Sequence, residues 1–460
     1  MSAAMYVSRR NSSASAYPAR IIQRSSSLPA RPENGRRDSR SSCPGAWPTS
    51  RNRAPHTPEN VGWASAMMPW SAQTVQARHA AWWAAKAARV ARGTFPVTCH
   101  AMPNPTSQQV LEVLSTIQDP DLGRDVVALG MIKELAIEEG GRVSFTFELT
   151  TPACPVRDRF KSQAHDAVSQ IPGVTAVDVR MTANVRPAFL RPKPSEILPG
   201  VKQTIAVASG KGGVGKSTVA VNLAAALRRA GAEVGLLDAD IYGPSVPAMT
   251  NSRTVPEQVN GRLRPIDAHG LKVMSFGQIY PGDQPTIYRG PMVGKAIEAM
   301  MTQVDWGRLD YLVIDLPPGT GDASLTLAQA VPLTGVAIVC TPQDVATDIA
   351  VKALQMFRKL NVTPLGLIEN MSWYVCPSCG HRHDIFGHGG AEAAAQRLGV
   401  PFLGAVPLEE GIREDADAGT PVVISRPESA GARAFVEIAS QVAARTSIQS
   451  FRQLPVINVH

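Results

Sequence analysis

The chain has 460 residues, of which 44% are hydrophobic, and this is enough for more than one domain with a sizeable core. Its net charge of +8 comes from residues 1–101, which hold 14 Lys and Arg but three acids, leaving 32 basic and 35 acidic residues for the rest. No basic stripe with interleaved aromatic residues follows, so we expect no nucleic-acid partner. No apolar run is long enough to span a membrane, so we expect no membrane partner.

Residues 1–104 are rich in Ser, Arg and Pro and predict a disordered tail. Such a tail is also typical of an organelle transit peptide, and orderly sequence begins just after Met102, which is an alternative start. Six unevenly spaced cysteines without a secretory signal favour a reducing compartment. We therefore expect a cytoplasmic protein, or an organellar one if the tail is a transit peptide.

Residues 105–184 predict a small α/β domain. Apolar residues between Val110 and Ile117 have the spacing of one helix face. The elements predicted after it are strands at Ile132–Ile137 and Val143–Leu149, a helix at Val156–Ile171 and a closing strand at Val174–Arg180.

The loop Leu149-Thr-Thr-Pro-Ala-Cys-Pro155 of this domain resembles a motif of SufT- and PaaD-like iron–sulfur assembly factors. Its Cys154 precedes the predicted helix, where a helix N-terminus stabilises a thiolate. Cys154 is therefore a candidate for transient cluster or thiol chemistry. A structural cysteine in a turn is the alternative.

Residues 185–200 are Pro-rich and predict a stiff linker to a second domain at 201–446. An apolar strand at Ile205–Ala208 and a helix at Val219–Arg229 flank a Gly-x-x-x-x-Gly-Lys-Ser loop, whose glycines, lysine and serine suit phosphate and Mg²⁺. The predicted nucleotide-binding residues are Gly210, Lys211, Gly212, Gly213, Val214, Gly215, Lys216, Ser217 and Thr218.

Carboxylates follow two further strands of this domain. The strand Val234–Leu237 delivers Asp238 and Asp240 to its carboxyl end, where open α/β sheets bind ligands. The strand Tyr311–Asp315 ends in an acid suited to holding Mg²⁺ through water, together with Ser217. The loop that follows, Leu316–Asp322, could sense the γ-phosphate and switch on hydrolysis.

Strands at Val336–Cys340 and Leu365–Glu369, joined by a helix at Val345–Leu360, predict a mostly parallel sheet, with Asn370 at its end. Next comes a Cys-x-x-Cys pair, which supplies half of the four ligands of a zinc site or a cubane cluster.

Three interpretations of the pair Cys376 and Cys379 are open. His381 and His383 would make a Cys₂His₂ zinc knuckle, although their spacing is tighter than usual. A two-fold dimer would bring four thiolates to its axis. A disulfide is the third possibility, and a reducing compartment disfavours it.

The loop Gly-Lys-Gly-Gly-Val-Gly-Lys-Ser-Thr resembles the deviant Walker A loop of MinD-like ATPases. The resemblance implies that Lys211 reaches the nucleotide of a partner subunit and acts in catalysis with Lys216. It also implies that Asp240, supported by Asp238, polarises the attacking water near Mg²⁺, and that Asn370 binds the adenine edge.

Together with Asp-Ala-Asp-Ile-Tyr-Gly-Pro-Ser, Asp-Leu-Pro-Pro-Gly-Thr-Gly-Asp and Cys-Pro-Ser-Cys-Gly, this loop is similar to the Mrp (ApbC) family of iron–sulfur carrier ATPases. The resemblance implies a homodimeric ATP hydrolase that uses ATP and Mg²⁺, holds a [4Fe–4S] cluster on Cys376 and Cys379, and serves apo-proteins and assembly factors.

Two alternatives remain at this point. One is a MinD/ParA-type positioning ATPase, which should end in a basic amphipathic helix, whereas the expected C-terminal tail, residues 447–460, has one Arg and the helix breaker Pro455. The other is a regulatory ATPase stabilised by zinc.

Overall fold

The computed structural model describes residues 104–188, 197–279, 290–319 and 321–452. The predicted disordered tail, the alternative start at Met102 and the middle of the predicted linker lie outside these residues. Among the helices within them, none combines the length and apolarity needed to cross a bilayer.

The region between residues 105 and 184 is a small α/β unit, as predicted. Its elements are α1 (Ser107–Leu114), β1 (Gln118–Asp119), β2 (Arg124–Asp125), β3 (Ile132–Ile137), β4 (Arg142–Leu149), α2 (Arg157–Ser169) and β5 (Ala176–Ala183). The sheet order is β3-β4-β5; β4 is antiparallel to β3 and parallel to β5, with α2 as the crossover.

Local sequence explains the ends and the core of this unit. Thr106 caps α1 by accepting from the backbone N–H of Gln109, whose side chain accepts in return from the backbone N–H of Thr106. Phe147 of β4 stacks on Phe160 of α2 with ring centroids 5.3 Å apart, and both are buried. The helices therefore pack on one face of the sheet around an aromatic pair.

The second region contains a long sheet with helices on both faces. The strands of this region are β6 (Val201–Ser209), β7 (Val234–Asp238), β8 (Gln258–Val259), β9 (Arg262–Leu263), β10 (Ile266–Ala268), β11 (Leu271–Ser275), β12 (Leu309–Asp315), β13 (Gly335–Cys340), β14 (Pro364–Glu369), β15 (Tyr374–Val375), β16 (Arg382–His383) and β17 (Phe402–Ala405). Its helices are α3 (Lys216–Arg229), α4 (Val246–Met249), α5 (Phe276–Ile279), α6 (Gly290–Thr302), α7 (Asp322–Ala330), α8 (Asp344–Lys359), α9 (Gly390–Leu398), α10 (Glu410–Asp417), α11 (Val422–Ser425) and α12 (Ala430–Arg452).

The eight-stranded sheet has the order β10-β11-β7-β12-β6-β13-β14-β17, and within it only the pair β10 and β11 is antiparallel. Alternate residues of each central strand enter opposite cores. In β12, Val313 packs towards α3 and α12, whereas Leu312 and Ile314 pack towards α6 and α8. A strand buried on both faces is continuously apolar, which is the pattern that predicted the mostly parallel α/β fold.

One boundary prediction was wrong. The tail expected from residue 447 does not begin there, because α12 continues to Arg452 and buries Thr446 and Ser450. Their hydroxyls donate back to helix carbonyls, Thr446 to Val442 and Ser450 to Thr446, each at 3.2 Å. Polar side chains satisfied in this way can be buried, and this hid the helix from a reading of apolar spacing.

The small unit contacts the large sheet through the loop after β4. The hydroxyl of Tyr311, in β12, lies 3.0 Å from that of Thr151, and burial raises the pKa of Tyr311. The Ser447 hydroxyl donates to the carbonyl of Thr150 at 3.4 Å, and Ala153 joins the core beneath α3. The loop that carries Cys154 therefore packs beside Tyr311, well before the carboxyl end of β12.

Candidate functional site

The glycine-rich loop joins β6 to α3 at the carboxyl end of the sheet. Gly213 and Gly215 have φ angles of 80° and 79°, which favour glycine. Gly210 packs so closely on α8 that a Cβ would lie 2.7 Å from the backbone carbonyl carbon of Ile349. The loop conformation therefore depends on glycine at these positions, and its end meets the N-terminus of a helix that is suited to an anion.

Lys216 and Ser217 meet a carboxylate from the neighbouring strand β12. The Lys216 ammonium lies 2.6 Å from Oδ1 of Asp315, and the Ser217 hydroxyl donates to Oδ2 of Asp315 at 2.5 Å. Oδ2 of Asp240 is 3.7 Å from the same ammonium. The structure thus brings together four of the predicted site residues, a lysine, a hydroxyl and two carboxylates.

Asp238 and Asp240 have different surroundings. Asp238 is fully buried and accepts from the backbone N–H groups of Asp240 and Val246 and from the Ser275 hydroxyl. Burial, and next the carboxylate of Asp315, raise the pKa of Asp238 to about 8. Asp238 therefore shapes the loop, whereas Asp240 lies beside the lysine.

Asp315 is also fully buried, at the end of β12. Burial raises the pKa of Asp315, and the ammonium of Lys216 acts in the opposite direction. A hydroxyl and a carboxylate oxygen in contact form the donor set that Mg²⁺ prefers, so the chemistry of Ser217 and Asp315 fits this ion.

Lys211 and Asn370 border the glycine-rich loop. The Lys211 carbonyl accepts from the Ser209 hydroxyl at 3.0 Å. Lys211 is partly exposed, and its ammonium has no ion-pair partner among the described residues. The Asn370 side chain is buried and donates to the carbonyl of Val214 at 2.8 Å. Asn370 therefore buttresses the loop, which sequence reasoning did not anticipate.

The loop after β12 starts against the end of β6, directly before the glycine-rich loop. The backbone N–H of Leu316 donates to Val207 at 3.0 Å, and that of Gly319 donates to Ser209 at 2.9 Å. Thr320 lies outside the described residues. The described part of the predicted switch is thus hydrogen-bonded to the strand that leads into the phosphate loop.

Cys376 and Cys379 lie on a short hairpin formed by β15 and β16. The hairpin is closed by a hydrogen bond from the backbone N–H of Cys376 to the carbonyl of His381, at 2.9 Å. Cys376 is partly exposed, Cys379 is exposed, and both are free thiols. The backbone N–H groups of Cys379 and Ser378 lower the pKa of Cys376. The turn therefore favours a thiolate, the form that binds metal.

The rings of His381 and His383 lie against each other, with centroids 4.7 Å apart. Within the described ranges, no group of three or more His, Cys, Asp or Glu side chains is arranged to hold a metal ion. The described geometry gives no support to the single-chain zinc knuckle.

The predicted stabilisation of a Cys154 thiolate was wrong. Burial raises the pKa of Cys154 to about 11, and Asp119 and Asp121 act in the same direction. The backbone N–H of Val156 near the start of α2 acts in the opposite direction but is outweighed. The loop docks on the large sheet, so desolvation of the thiol dominates the effect of the helix N-terminus.

Sequence reasoning missed a cluster at the carboxyl end of β14. Glu369 is fully buried, and its Oε1 accepts from the Ser372 hydroxyl at 2.5 Å. His388 and Arg382 lie next in the same cluster. An acid that ends an apolar strand is the signal that identified Asp315, and it applied equally to Glu369.

Comparisons with known proteins were made on sequence and on structure. Residues 200–443 match the family described as NUBPL iron-transfer P-loop NTPase, and residues 107–179 match the one described as iron-sulfur cluster assembly protein. The chain is similar to an iron-sulfur cluster carrier protein of Synechocystis, at 49% identity over 75% of this chain and 98% of the relative. A carrier protein of the same name from Deinococcus radiodurans is 46% identical, over 75% and 97%.

Among solved structures, a nucleotide-binding protein in complex with ADP from Archaeoglobus fulgidus is 36% identical. The match covers 51% of this chain and 92% of that one, with a TM-score of 0.46.

Proposed function

Because this chain belongs to the family of iron–sulfur cluster carrier P-loop NTPases, we propose that it carries a [4Fe–4S] cluster to apo-proteins under the control of ATP. The cluster is the cargo, held by Cys376 and Cys379. The observation that carries the proposal is a pair of accessible, free thiols on a hairpin attached to a nucleotide-binding domain.

The nucleotide is bound where β6, β7 and β12 end. The loop from Gly210 to Thr218 surrounds its phosphates, with Lys216 as the buried cation. Mg²⁺, when bound, would be held by Ser217 and Asp315, with Asp240 nearby, and would neutralise phosphate charge. The contacts of Asp315 with both Lys216 and Ser217 support this assignment.

Asp240 orients the attacking water in this proposal. Its Oδ1 accepts from the backbone N–H of Gly243 at 3.3 Å and its Oδ2 lies near Lys216, so the carboxylate is oriented beside the phosphate loop. Lys211 acts across a dimer on the phosphoryl group of the partner's nucleotide. A cation without an ion-pair partner in the described chain is available for this role.

Asn370 has one amide hydrogen bond to the loop and contacts the adenine edge with its remaining polar capacity. The loop from Leu316 senses the γ-phosphate, because its described part is hydrogen-bonded to β6.

The cluster requires four ligands, and each chain supplies two accessible thiols that lie close together in sequence. We propose that Cys376 and Cys379 of two subunits share one cluster on a two-fold axis. The lack of a three-ligand group within the described part of one chain supports a shared site. Free thiols at all four described cysteines fit a reducing compartment such as the cytoplasm.

Analysis of iron, sulfide and zinc after anaerobic purification tests the function. Iron together with sulfide, lost in Cys376→Ala and retained in Cys340→Ala, supports a cluster carrier. Cys340 is the matched control because it is buried in the sheet. Stoichiometric zinc, or a protein free of metal after reconstitution, would contradict the proposal.

A further inference from the structure

The buried carboxylate of Glu369 organises the chain segment that leads to the cysteine hairpin. Its Oε1 accepts from the backbone N–H of Gly389 at 3.0 Å, and its Oε2 accepts from that of Ala391 at 2.8 Å, at the start of α9. The Ser372 hydroxyl also donates to Oε1, at 2.5 Å. One carboxylate therefore fixes both the start of a helix and the residue from which the hairpin leaves the sheet.

Ser372 and His388 connect this carboxylate to the hairpin. The Ser372 hydroxyl lies 3.0 Å from Nδ1 of His388, and Nη2 of Arg382 lies 3.1 Å from the same nitrogen. A guanidinium only donates, so Nδ1 of His388 accepts from Arg382. The hydroxyl of Ser372 donates its single hydrogen to Glu369, so its oxygen packs against Nδ1 of His388 without a hydrogen between them.

Arg382 belongs to the hairpin itself. It is the register partner of Val375, the residue directly before Cys376. Its Nε donates to Asp384 at 3.0 Å, and its guanidinium lies 4.9 Å from the ring centroid of Trp373. Contacts on three sides hold this arginine, and through the β15–β16 pair they set where the first cysteine lies.

The other end of the same segment contacts the phosphate loop. Asn370, next to Glu369, donates to the carbonyl of Val214 at 2.8 Å. A Cβ on Gly215 would clash with the same amide, so Asn370 lies directly against the turn into α3. Met371 then takes a φ of 57°, an uncommon value for a residue with a side chain, and this turns the chain towards Ser372.

We propose that Asn370, Glu369, Ser372, His388 and Arg382 form a link that transmits nucleotide occupancy of the phosphate loop to the cysteine hairpin. These are positioning residues that act through the loop and the hairpin. A shift of the Val214 carbonyl when phosphate binds is passed through Asn370 to the neighbouring Glu369 and then to Arg382. The inference rests on the proposed function for the identity of the two sites it connects.

The test uses cluster-free, reduced full-length protein and measures alkylation rates of Cys376 and Cys379 by mass spectrometry of their peptides. Rates are compared with and without a non-hydrolysable ATP analogue, in wild type, Ser372→Ala and Arg382→Gln. Arg413→Gln is the matched control, because Arg413 forms an exposed ion pair with Asp417 in α10. Analogue affinity is measured for each variant.

We expect the analogue to change the wild-type and Arg413→Gln rates by about fivefold or more, the lower end of the range for coupled sites. In Ser372→Ala and Arg382→Gln the change should fall to within about twofold while analogue affinity is kept. An unchanged response in both variants, or no response in wild type, would overturn the link. The alkylation assay needs no cluster, so its result is independent of the carrier function. If the carrier function is wrong, metal analysis of wild type will show it by the absence of iron and sulfide.

Discussion

Asp238 and Asp315 are register partners at the ends of the parallel strands β7 and β12, and both are fully buried. Two carboxylates at one edge of a sheet, with the ammonium of Lys216 on Asp315, cannot both ionise without cost. Burial, and next the neighbouring carboxylate of Asp315, raise the pKa of Asp238 to about 8. The two buried acids thus differ in their surroundings, because the Lys216 ammonium is in contact with Asp315.

Stability should therefore depend on pH through Asp238. Its folded pKa of about 8 lies above the ordinary aspartate value of 3.8, so the folded state keeps a proton that the unfolded chain releases. The contribution of Asp238 is full below about pH 4 and is lost as pH rises towards 8, by about 1.4 kcal/mol per pH unit at most. Urea unfolding at pH 5, 6 and 7 measures the slope.

The matched pair for this measurement is Asp238→Asn and Asp417→Asn. Asp238→Asn should flatten the decline of the free energy of unfolding with pH, even if it lowers overall stability. Asp417 is an exposed acid, so Asp417→Asn should leave that decline unchanged. A slope equal to that of wild type in Asp238→Asn would show that Asp238 is ionised in the folded protein.

Lys216→Ala and Asp240→Asn should impair different steps, nucleotide binding and hydrolysis. Loss of Lys216 removes the buried cation that pairs with Asp315, so nucleotide binding should be abolished. Asp240→Asn should keep nucleotide affinity and slow hydrolysis by on the order of a hundredfold, because it changes how water is positioned. Calorimetry and phosphate release separate the two effects, and equal losses of affinity would mean that Asp240 has another role.

Lys211→Ala should keep nucleotide affinity and lower hydrolysis by about a thousandfold, as removal of an arginine finger does. Lys352→Ala, an exposed lysine of α8, is the control and should retain activity. Mixing Lys211→Ala with Lys216→Ala tests action across the dimer, because in a mixed dimer the subunit that keeps Lys216 faces the intact Lys211 of its partner. Action in trans predicts that the mixture regains part of the wild-type activity, and a mixture no more active than the two variants alone would show that Lys211 does not act in trans.

Cys154 should react more slowly than Cys379 with iodoacetamide at pH 8. With a pKa of about 11, only about one Cys154 thiol in a thousand is ionised at that pH. Peptide mass spectrometry over time gives both rates in one sample. Equal rates would show that the loop opens often enough to expose the thiol.

The sequence predicts site residues that local patterns place, but it does not predict effects that arise from contacts between residues distant in sequence. Lys216, Asp240 and Asp315 could be predicted because local strand and loop patterns place them at one sheet edge. The high pKa of Cys154 could not, because the desolvation comes from a loop that packs on a distant strand. The buttressing role of Asn370 depends on a contact 156 residues apart in sequence, and no local pattern encodes it.

The most direct test of the account is iron and sulfide per protomer, measured with molar mass by light scattering on reconstituted protein. A shared [4Fe–4S] cluster predicts about two irons and two sulfides per protomer in a species of twice the chain mass. Because the cluster binds only the dimer, Cys376→Ala should lose both the chromophore and the shift to dimer. Four irons on a monomer, or a cluster that persists in Cys376→Ala, would contradict the shared site.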